Sequence, residues 1–157
     1  MAMTTDFERD FIIKSFGEEY VSEAAEIEKL CFSEPWSETA LQYMFNSPST
    51  YAVVCIEKES GRLAAYGGLE YVLDEAELTN VATHPDFRRR GCARAIMEAL
   101  ERYISIRGVK RVWLDVRKSN EIAIDLYQKF GFTAAGIRPK YYRFPLEDAI
   151  LMVKNIT

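Results

Sequence analysis

The sequence lacks several features that identify whole classes of protein. Its three cysteines, Cys31, Cys55 and Cys92, include no CxxC pair, so the sequence indicates neither a disulfide framework nor a zinc site. One histidine, His84, offers no cluster of ligands, and we expect no metal. No apolar run approaches the roughly 20 residues of a membrane-spanning helix, and the polar residues 1–9 show no signal-peptide pattern. We therefore expect a reduced, cytoplasmic protein without a membrane partner.

A basic surplus is also missing. The net charge is −4, which argues against a nucleic-acid partner, because such proteins usually carry an excess of positive charge. The length of 157 residues fits one domain, 1–157, and no linker or internal repeat divides it. Hydrophobic residues make up 48% of the chain, which is enough for an ordinary core. We expect a monomer or a weak dimer.

The apolar pattern predicts a mixed α/β domain. Segments with β-branched and alternating apolar residues indicate strands, and apolar stripes at helical spacing indicate helices. Seven strands are predicted, at residues 11–14, 51–57, 63–71, 77–83, 111–117, 132–137 and 149–153. Four helices are predicted, at residues 19–31, 37–46, 91–107 and 120–130. The order predicts hairpins early in the chain and βαβ units in the middle.

A basic loop stands between the strand that ends near Thr83 and the helix that begins near Gly91. Helix N-termini present unpaired N–H groups and a positive dipole end, and small residues let an anion approach them. The pattern favours a phosphate or pyrophosphate site; the alternative is a solvated basic loop. Walker and Rossmann glycine patterns are absent. The candidate residues are Arg88, Arg89, Arg90, Gly91, Cys92, Ala93 and Arg94.

The spacing within this loop is that of a known family. Residues 88–93 fit the pattern of Arg or Gln, two residues, Gly, one residue, then Gly or Ala, which resembles the pyrophosphate loop of the GNAT acetyltransferases. Residues 113–120 and 126–132 resemble the family's second signature. Residues 35–37, 72–76, 138–142 and 147–149 are similar to one branch, the ribosomal-protein alanine N-acetyltransferases of RimI type. The resemblance covers nearly the whole chain.

The resemblance implies a fold and an activity. The fold would be a mostly antiparallel sheet of about seven strands flanked by about four helices, with a splay between two central strands. The activity would be transfer of acetyl from acetyl-CoA to the N-terminal α-amine of a protein, a ribosomal protein in this branch, without a covalent enzyme intermediate. The alternatives are a lysine or small-molecule amine as acceptor, and a coenzyme A-binding module without catalysis.

The resemblance also assigns the cosubstrate site. A backbone N–H of Val81 or Ala82 would bind the thioester oxygen, and Thr83 would lie at the same strand edge. Asn120 is placed to cap its helix, and the family's matching asparagine also contacts the cofactor. His84 is not used by the family.

Two residues are candidates for proton transfer. Asp115, mid-strand among apolar neighbours, would deprotonate the amine, directly or through water. The RimI type typically has glutamate there, one methylene longer. The alternative is a structural aspartate paired with an arginine such as Arg117. Tyr127 would protonate the leaving thiolate, as the family's matching tyrosine does; its place on an apolar helix stripe also fits a core residue.

The acceptor site and the reactive thiol are the remaining expectations. Tyr141 and Tyr142 would line the acceptor cleft, or are simply strand aromatics, and Glu34 and Trp36 would form its other wall. Cys92, in the first helical turn beside arginines, would have a lowered thiol pKa and be alkylated faster than the other two cysteines, which lie in apolar segments.

Overall fold

The computed structural model describes residues 6–156, and within them the predicted order of seven strands and four helices is confirmed. The strands are β1 (Phe11–Ser15), β2 (Thr50–Glu57), β3 (Leu63–Val72), β4 (Glu75–Thr83), β5 (Arg111–Arg117), β6 (Thr133–Tyr142) and β7 (Glu147–Asn155). The α-helices are α1 (Asp6–Asp10), α2 (Val21–Cys31), α3 (Glu38–Asn46), α4 (Cys92–Arg107) and α5 (Glu121–Lys129), with short 3-10 turns at Glu18–Tyr20 and Pro85–Phe87. The five-residue α1 was not predicted.

The strands form one sheet in the order β1-β2-β3-β4-β5-β7-β6. Every neighbouring pair is antiparallel except β4 and β5, which run parallel. This connection carries α4 across the sheet, as a parallel pair requires. The predicted mixed sheet is therefore confirmed.

The parallel pair separates soon after it starts. Glu75, Ala76 and Glu77 pair with Arg111, Val112 and Trp113, and within the described residues the pairing of the two strands ends there. Beyond that point β4 continues to Thr83 against β3, and β5 continues to Arg117 against β7. The two strands thus diverge into a wedge, which is the predicted splay.

Helices cover both faces of the sheet. Ile96, Met97 and Leu100 of α4 pack in one buried cluster, and α2 and α3 supply the other through Ile27 and Leu41 among others. No helix in residues 6–156 is long and apolar enough to cross a membrane.

Two adjacent glycines of β3 let the helices on both faces approach the sheet closely. A Cβ atom on Gly67 would lie 2.4 Å from Ile96 Cγ2, and one on Gly68 would lie 2.6 Å from Met44 Sδ. The helices on the two faces therefore pack directly on the backbone of the strand that neighbours β4.

Candidate active site

The predicted anion site is the junction between β4 and α4. Gly91 precedes the helix with φ of +86°, a backbone conformation that glycine adopts without a Cβ penalty. Cys92, Ala93 and Arg94 are the first residues of α4, and their N–H groups have no carbonyl four residues earlier in the helix. A 16-residue helix therefore presents its positive end here.

The four arginines of this junction do not all face the helix end. The Arg90 guanidinium lies 3.7 Å from Asp10 Oδ2 and 3.5 Å from Glu57 Oε2, over the Phe11 ring. Arg94 pairs with Glu98 at 3.0 Å. The expectation that four arginine side chains surround one anion stays a prediction: here Arg90 is held by two carboxylates and an aromatic face, and Arg94 by one carboxylate.

All four arginine side chains are exposed, and the other two differ in having no carboxylate partner within residues 6–156. Arg88 Nη2 lies 3.7 Å from the thiol sulfur of Cys31. Arg89 has no ion pair within residues 6–156 and has a positive φ of 63°. These two side chains are the ones that remain available beside the start of α4.

Cys92 lies in the first turn as predicted, but its thiol points into the core. The side chain is 1% exposed and contacts the thiol of Cys55. A hydrogen bond from Cys55, and then the Arg90 charge, lower the pKa of the Cys92 thiol. The expectation that this thiol is the accessible one is wrong, because the first turn of α4 buries it against β2. The partly exposed thiol is that of Cys31.

The open side of β4 contains the three residues for which we predict contact with the cosubstrate. Val81, Ala82 and Thr83 pair with β3 on one side and have no pairing to β5 on the other. Strand N–H groups point alternately to the two sides, so those directed at the wedge have no strand partner. Asn120 caps α5 as predicted, since its Oδ1 accepts the N–H of Ala123 at 3.2 Å.

Asp115 faces an open cleft of about 440 Å³, here called the Asp115 cleft. Its polar lining comprises Glu70, Glu75, Glu77, Asp115 and Arg138, with Trp113 beside them. The Asp115 side chain is 14% exposed, and its Oδ1 accepts a hydrogen bond from Arg138 Nε at 2.8 Å. Arg117 instead binds Glu147 at 3.1 Å, so the partner of Asp115 is an arginine of β6.

Glu77 is the acidic neighbour that the sequence reasoning missed. Burial, and then the negative charge of Asp115, raise the pKa of Glu77. No hydrogen bond to its side chain occurs within residues 6–156. The alternation of Glu75 and Glu77 in β4 was the available signal, because it predicts one acidic face of the strand.

Tyr127 lies on α5, in the buried cluster that also contains Leu114 and Val116 of β5. It is 9% exposed and packs edge-on against Phe132 at 6.0 Å between ring centroids. Burial raises the pKa of Tyr127 to about 12, so the hydroxyl stays protonated at neutral pH. No residue in 6–156 is hydrogen-bonded to this hydroxyl, and it is not sealed from solvent.

The two predicted acceptor tyrosines, Tyr141 and Tyr142, interact electrostatically with Asp115. Burial, and then the Asp115 charge, raise the pKa of Tyr141 and of Tyr142. Tyr127 contributes to the raised pKa of Tyr142 as well. Asp115 thus interacts electrostatically with Tyr141 and Tyr142, and Tyr127 interacts with Tyr142.

Glu34 and Trp36 lie on the loop between α2 and α3, residues 32–37. Glu34 Oε1 accepts the N–H of Arg143 at 2.8 Å, which ties this loop to the β6–β7 turn. The backbone N–H of Trp36 donates a hydrogen bond to Glu28 Oε1 at 2.9 Å. The described residues contain no group of three side chains that would hold a metal ion.

Comparison with known proteins assigns the family. Residues 21–132 match the acetyltransferase (GNAT) family. The ribosomal protein bS18 alanine N-acetyltransferase of Escherichia coli K12 is 40% identical over 136 residues, 85% of this chain and 90% of the relative. Its counterpart in Haemophilus ducreyi is 33% identical over 144 residues, 90% of this chain and 97% of the relative.

A solved structure supports the same family assignment. The crystal structure of the E. coli ribosomal-protein-S18-alanine N-acetyltransferase has a TM-score of 0.85 to this chain at 36% identity, covering 94% of each chain. Since the family match spans more than half of the sequence and these relatives span most of it, this chain belongs to the GNAT family of acetyltransferases and is an acyltransferase.

Proposed function

We propose that this enzyme transfers the acetyl group of acetyl-CoA to the N-terminal α-amine of a protein, with a ribosomal protein as the first candidate. The observation that carries the proposal is the 40% identity, over 85% of the chain, to an enzyme named for acetylating the alanine of ribosomal protein bS18. The wedge between β4 and β5 supports it, because it leaves strand N–H groups open beside the Asp115 cleft.

The cosubstrate would lie along the open edge of β4 and end at α4. The backbones of Gly91, Cys92, Ala93 and Arg94 offer the N–H groups for the pyrophosphate. Arg88 and Arg89 add positive charge, since their side chains are exposed there. In the proposed arrangement Val81, Ala82 and Thr83 contact the pantetheine arm, and Asn120 contacts it from the start of α5.

The acceptor amine must lose a proton before it attacks. An α-amine titrates near roughly 8, so about a tenth is already neutral at pH 7 and a modest base suffices. Asp115 would take the proton, directly or through a water, and its negative neighbour Glu77 favours the incoming cation in the same cleft. Tyr141 and Tyr142 on one side, and Glu34 and Trp36 on the other, would hold the peptide.

The transfer itself forms one bond and breaks another. The amine nitrogen attacks the thioester carbon, a backbone N–H of Val81 or Ala82 stabilises the oxyanion, and the C–S bond then breaks. Tyr127 donates its hydroxyl hydrogen to the leaving sulfur, and the proton that the nitrogen loses on becoming an amide passes through solvent and restores the tyrosine hydroxyl. An alkyl thiol such as cysteine titrates near about 8.5, well below the Tyr127 pKa of about 12. The proton is therefore shared as charge develops on sulfur rather than delivered beforehand.

A matched pair of peptides tests the proposal. The acceptor is a ribosomal-protein N-terminal peptide that begins with alanine and contains one lysine, and its partner is the same peptide with a blocked α-amine. We expect release of coenzyme A with the free peptide and little with the blocked one. Equal rates would assign the enzyme to lysine side chains, and release with small amines alone would assign it to those. No release with any amine would leave a coenzyme A-binding module.

A further inference from the structure

Glu28 of α2 is a buried carboxylate that the proposed chemistry does not use. It is 0% exposed and is the one charged side chain among the buried residues of the described chain. Burial raises the pKa of Glu28, and its three hydrogen-bond donors oppose that shift. A buried ionisable group is costly unless hydrogen bonds compensate it. The hydrogen-bond partners of Glu28 therefore indicate its structural role.

Those contacts join three separate parts of the chain. Oε1 accepts the backbone N–H of Trp36 at 2.9 Å. Oε2 accepts the Tyr66 hydroxyl and, at 3.0 Å, the side-chain amide of Asn80. The same amide also donates to the Tyr66 oxygen at 3.0 Å. One carboxylate thus connects the 32–37 loop, β3 and β4.

A bulge in β4 places Asn80 on the acceptor side of the sheet. Leu69 pairs with Leu78 and Gly68 with Asn80, so Thr79 is the extra residue. The inserted residue reverses the alternation, and Asn80 therefore shares the face of Glu77 although the two are three positions apart. Asn80 also directly precedes Val81, at the part of β4 that has left β5.

The other end of the 32–37 loop is fixed to the opposite wall. Glu34 accepts the N–H of Arg143 at 2.8 Å, and the hydroxyl of Ser33 donates to the Arg143 carbonyl at 3.1 Å. Arg117 of β5 donates to Ser33 at 2.9 Å and to the Arg143 carbonyl at 2.7 Å. The loop is thus held between β5 and the β6–β7 turn on one side and Glu28 on the other.

We infer that Glu28 is a positioning residue that sets the acceptor wall against the cosubstrate edge. This inference rests on the proposed function, since it assumes that the 32–37 loop contacts the peptide and that β4 contacts acetyl-CoA. Glu28 touches neither substrate. It holds Trp36 and Asn80 on one carboxylate, so that the peptide amine meets the thioester at a fixed separation.

The first test replaces Glu28 by methionine, which has a similar length and accepts no strong hydrogen bond. We expect Glu28→Met to raise the KM for the acceptor peptide about tenfold, the order expected for lost hydrogen bonds to a charged group. The Kd for acetyl-CoA, measured by calorimetry, should stay at the wild-type value. Glu26→Met, on an exposed position of the same helix, is the matched control and should change neither.

The second test exchanges the hydrogen-bond donor at position 80 and the acceptor at position 28. It allows the inference to be refuted even if Glu28→Met fails to fold. Asn80→Asp sets two carboxylates against each other and should raise the acceptor KM. Adding Glu28→Gln restores complementarity, because the glutamine amide donates to the new aspartate while its oxygen still accepts from Trp36. The Tyr66 hydroxyl, 3.0 Å from the position-80 side chain, then donates to that aspartate instead of to position 28. We expect the double variant to recover most of the wild-type KM.

The outcomes separate the two claims. An active wild type with an unchanged acceptor KM in Glu28→Met overturns the inference alone. So does a variant in which acceptor KM and acetyl-CoA Kd rise by the same factor, or a double variant no better than Asn80→Asp. A wild-type chain that acetylates no peptide refutes the proposed function and, with it, the inference.

Discussion

Removing one oxygen atom from Tyr127 should separate catalysis from stability. Tyr127→Phe keeps the ring packed against Phe132 and deletes a hydroxyl that has no hydrogen-bond partner in the described residues. No internal hydrogen bond is lost, so we expect the free energy of unfolding to change by less than about 0.5 kcal/mol. General acid assistance to the leaving sulfur is typically worth about 10²–10⁴-fold in rate. We expect kcat to fall by that factor.

The assay follows coenzyme A release in a single turnover at saturating peptide, so that product release does not hide the chemical step. Acetyl-CoA binding and urea unfolding are measured on the same samples. Tyr103→Phe is the contrasting control. The Tyr103 hydroxyl donates to Tyr71 and accepts from Arg107, so its loss should lower the unfolding free energy by about 1 kcal/mol while kcat stays unchanged.

Two results would refute this reasoning. A fully active Tyr127→Phe enzyme would make Tyr127 a core residue without a chemical role. A slow variant that has also lost stability would show that the hydroxyl serves the packing of α5, because the structure gives it no internal bond to lose.

Three further predictions concern the carboxylates and the thiols. Asp115→Asn should be slow at neutral pH and partly recover as pH rises, whereas Asp115→Glu should stay active; a pH–rate profile unaltered by the asparagine would remove Asp115 from proton transfer. The pKa of Glu77 is raised in the folded chain, so protonation of Glu77 favours the folded state. This contribution to stability is complete below the ordinary pKa of 4.5 and is lost as the pH rises through the raised pKa. The unfolding free energy of Glu77→Gln, measured by urea titration, should therefore increase relative to that of wild type as the pH rises from 4 to 8. A constant difference across that range would contradict the raised pKa. Cys31 should be alkylated before Cys55 and Cys92, because both of those thiols are buried; residue-resolved mass spectrometry showing Cys92 first would mean that the start of α4 opens in solution.

Periodicity predicted the elements because most of them have one buried and one exposed face. The apolar runs of β2 and β3, which are buried on both faces, were found as well. Prediction failed where no face of an element is buried. Residues 133–141 of β6 are all exposed, so no alternation shows where the strand ends, and it runs to Tyr142 rather than stopping at 137. The helix α1 is only five residues long and buries none of them, which leaves no stripe to detect.

The site was predictable where it is local and unpredictable where it depends on register. The turn at Gly91 and the Asn120 cap are encoded in neighbouring residues, and both were found. The partner of Asp115 is set by the strand order β5-β7-β6, which brings Arg138 beside it from 23 positions away. Arg90 likewise finds Asp10 and Glu57 through the arrangement of the first strands, and a run of arginines carries no sign of that choice.

The wedge between β4 and β5 gives the sheet an edge in its interior. Strand edges elsewhere in proteins are protected or covered, because their free N–H and C=O groups pair readily with any extended chain. Within residues 6–156 the two half-sheets, β1–β4 and β5–β7, share three paired residues of the β4–β5 ladder. A ligand that lies along the exposed part of β4 would complete the ladder and bind only the folded chain. By mass action, the free energy of unfolding of such an enzyme would rise with the logarithm of the concentration of the molecule that it consumes.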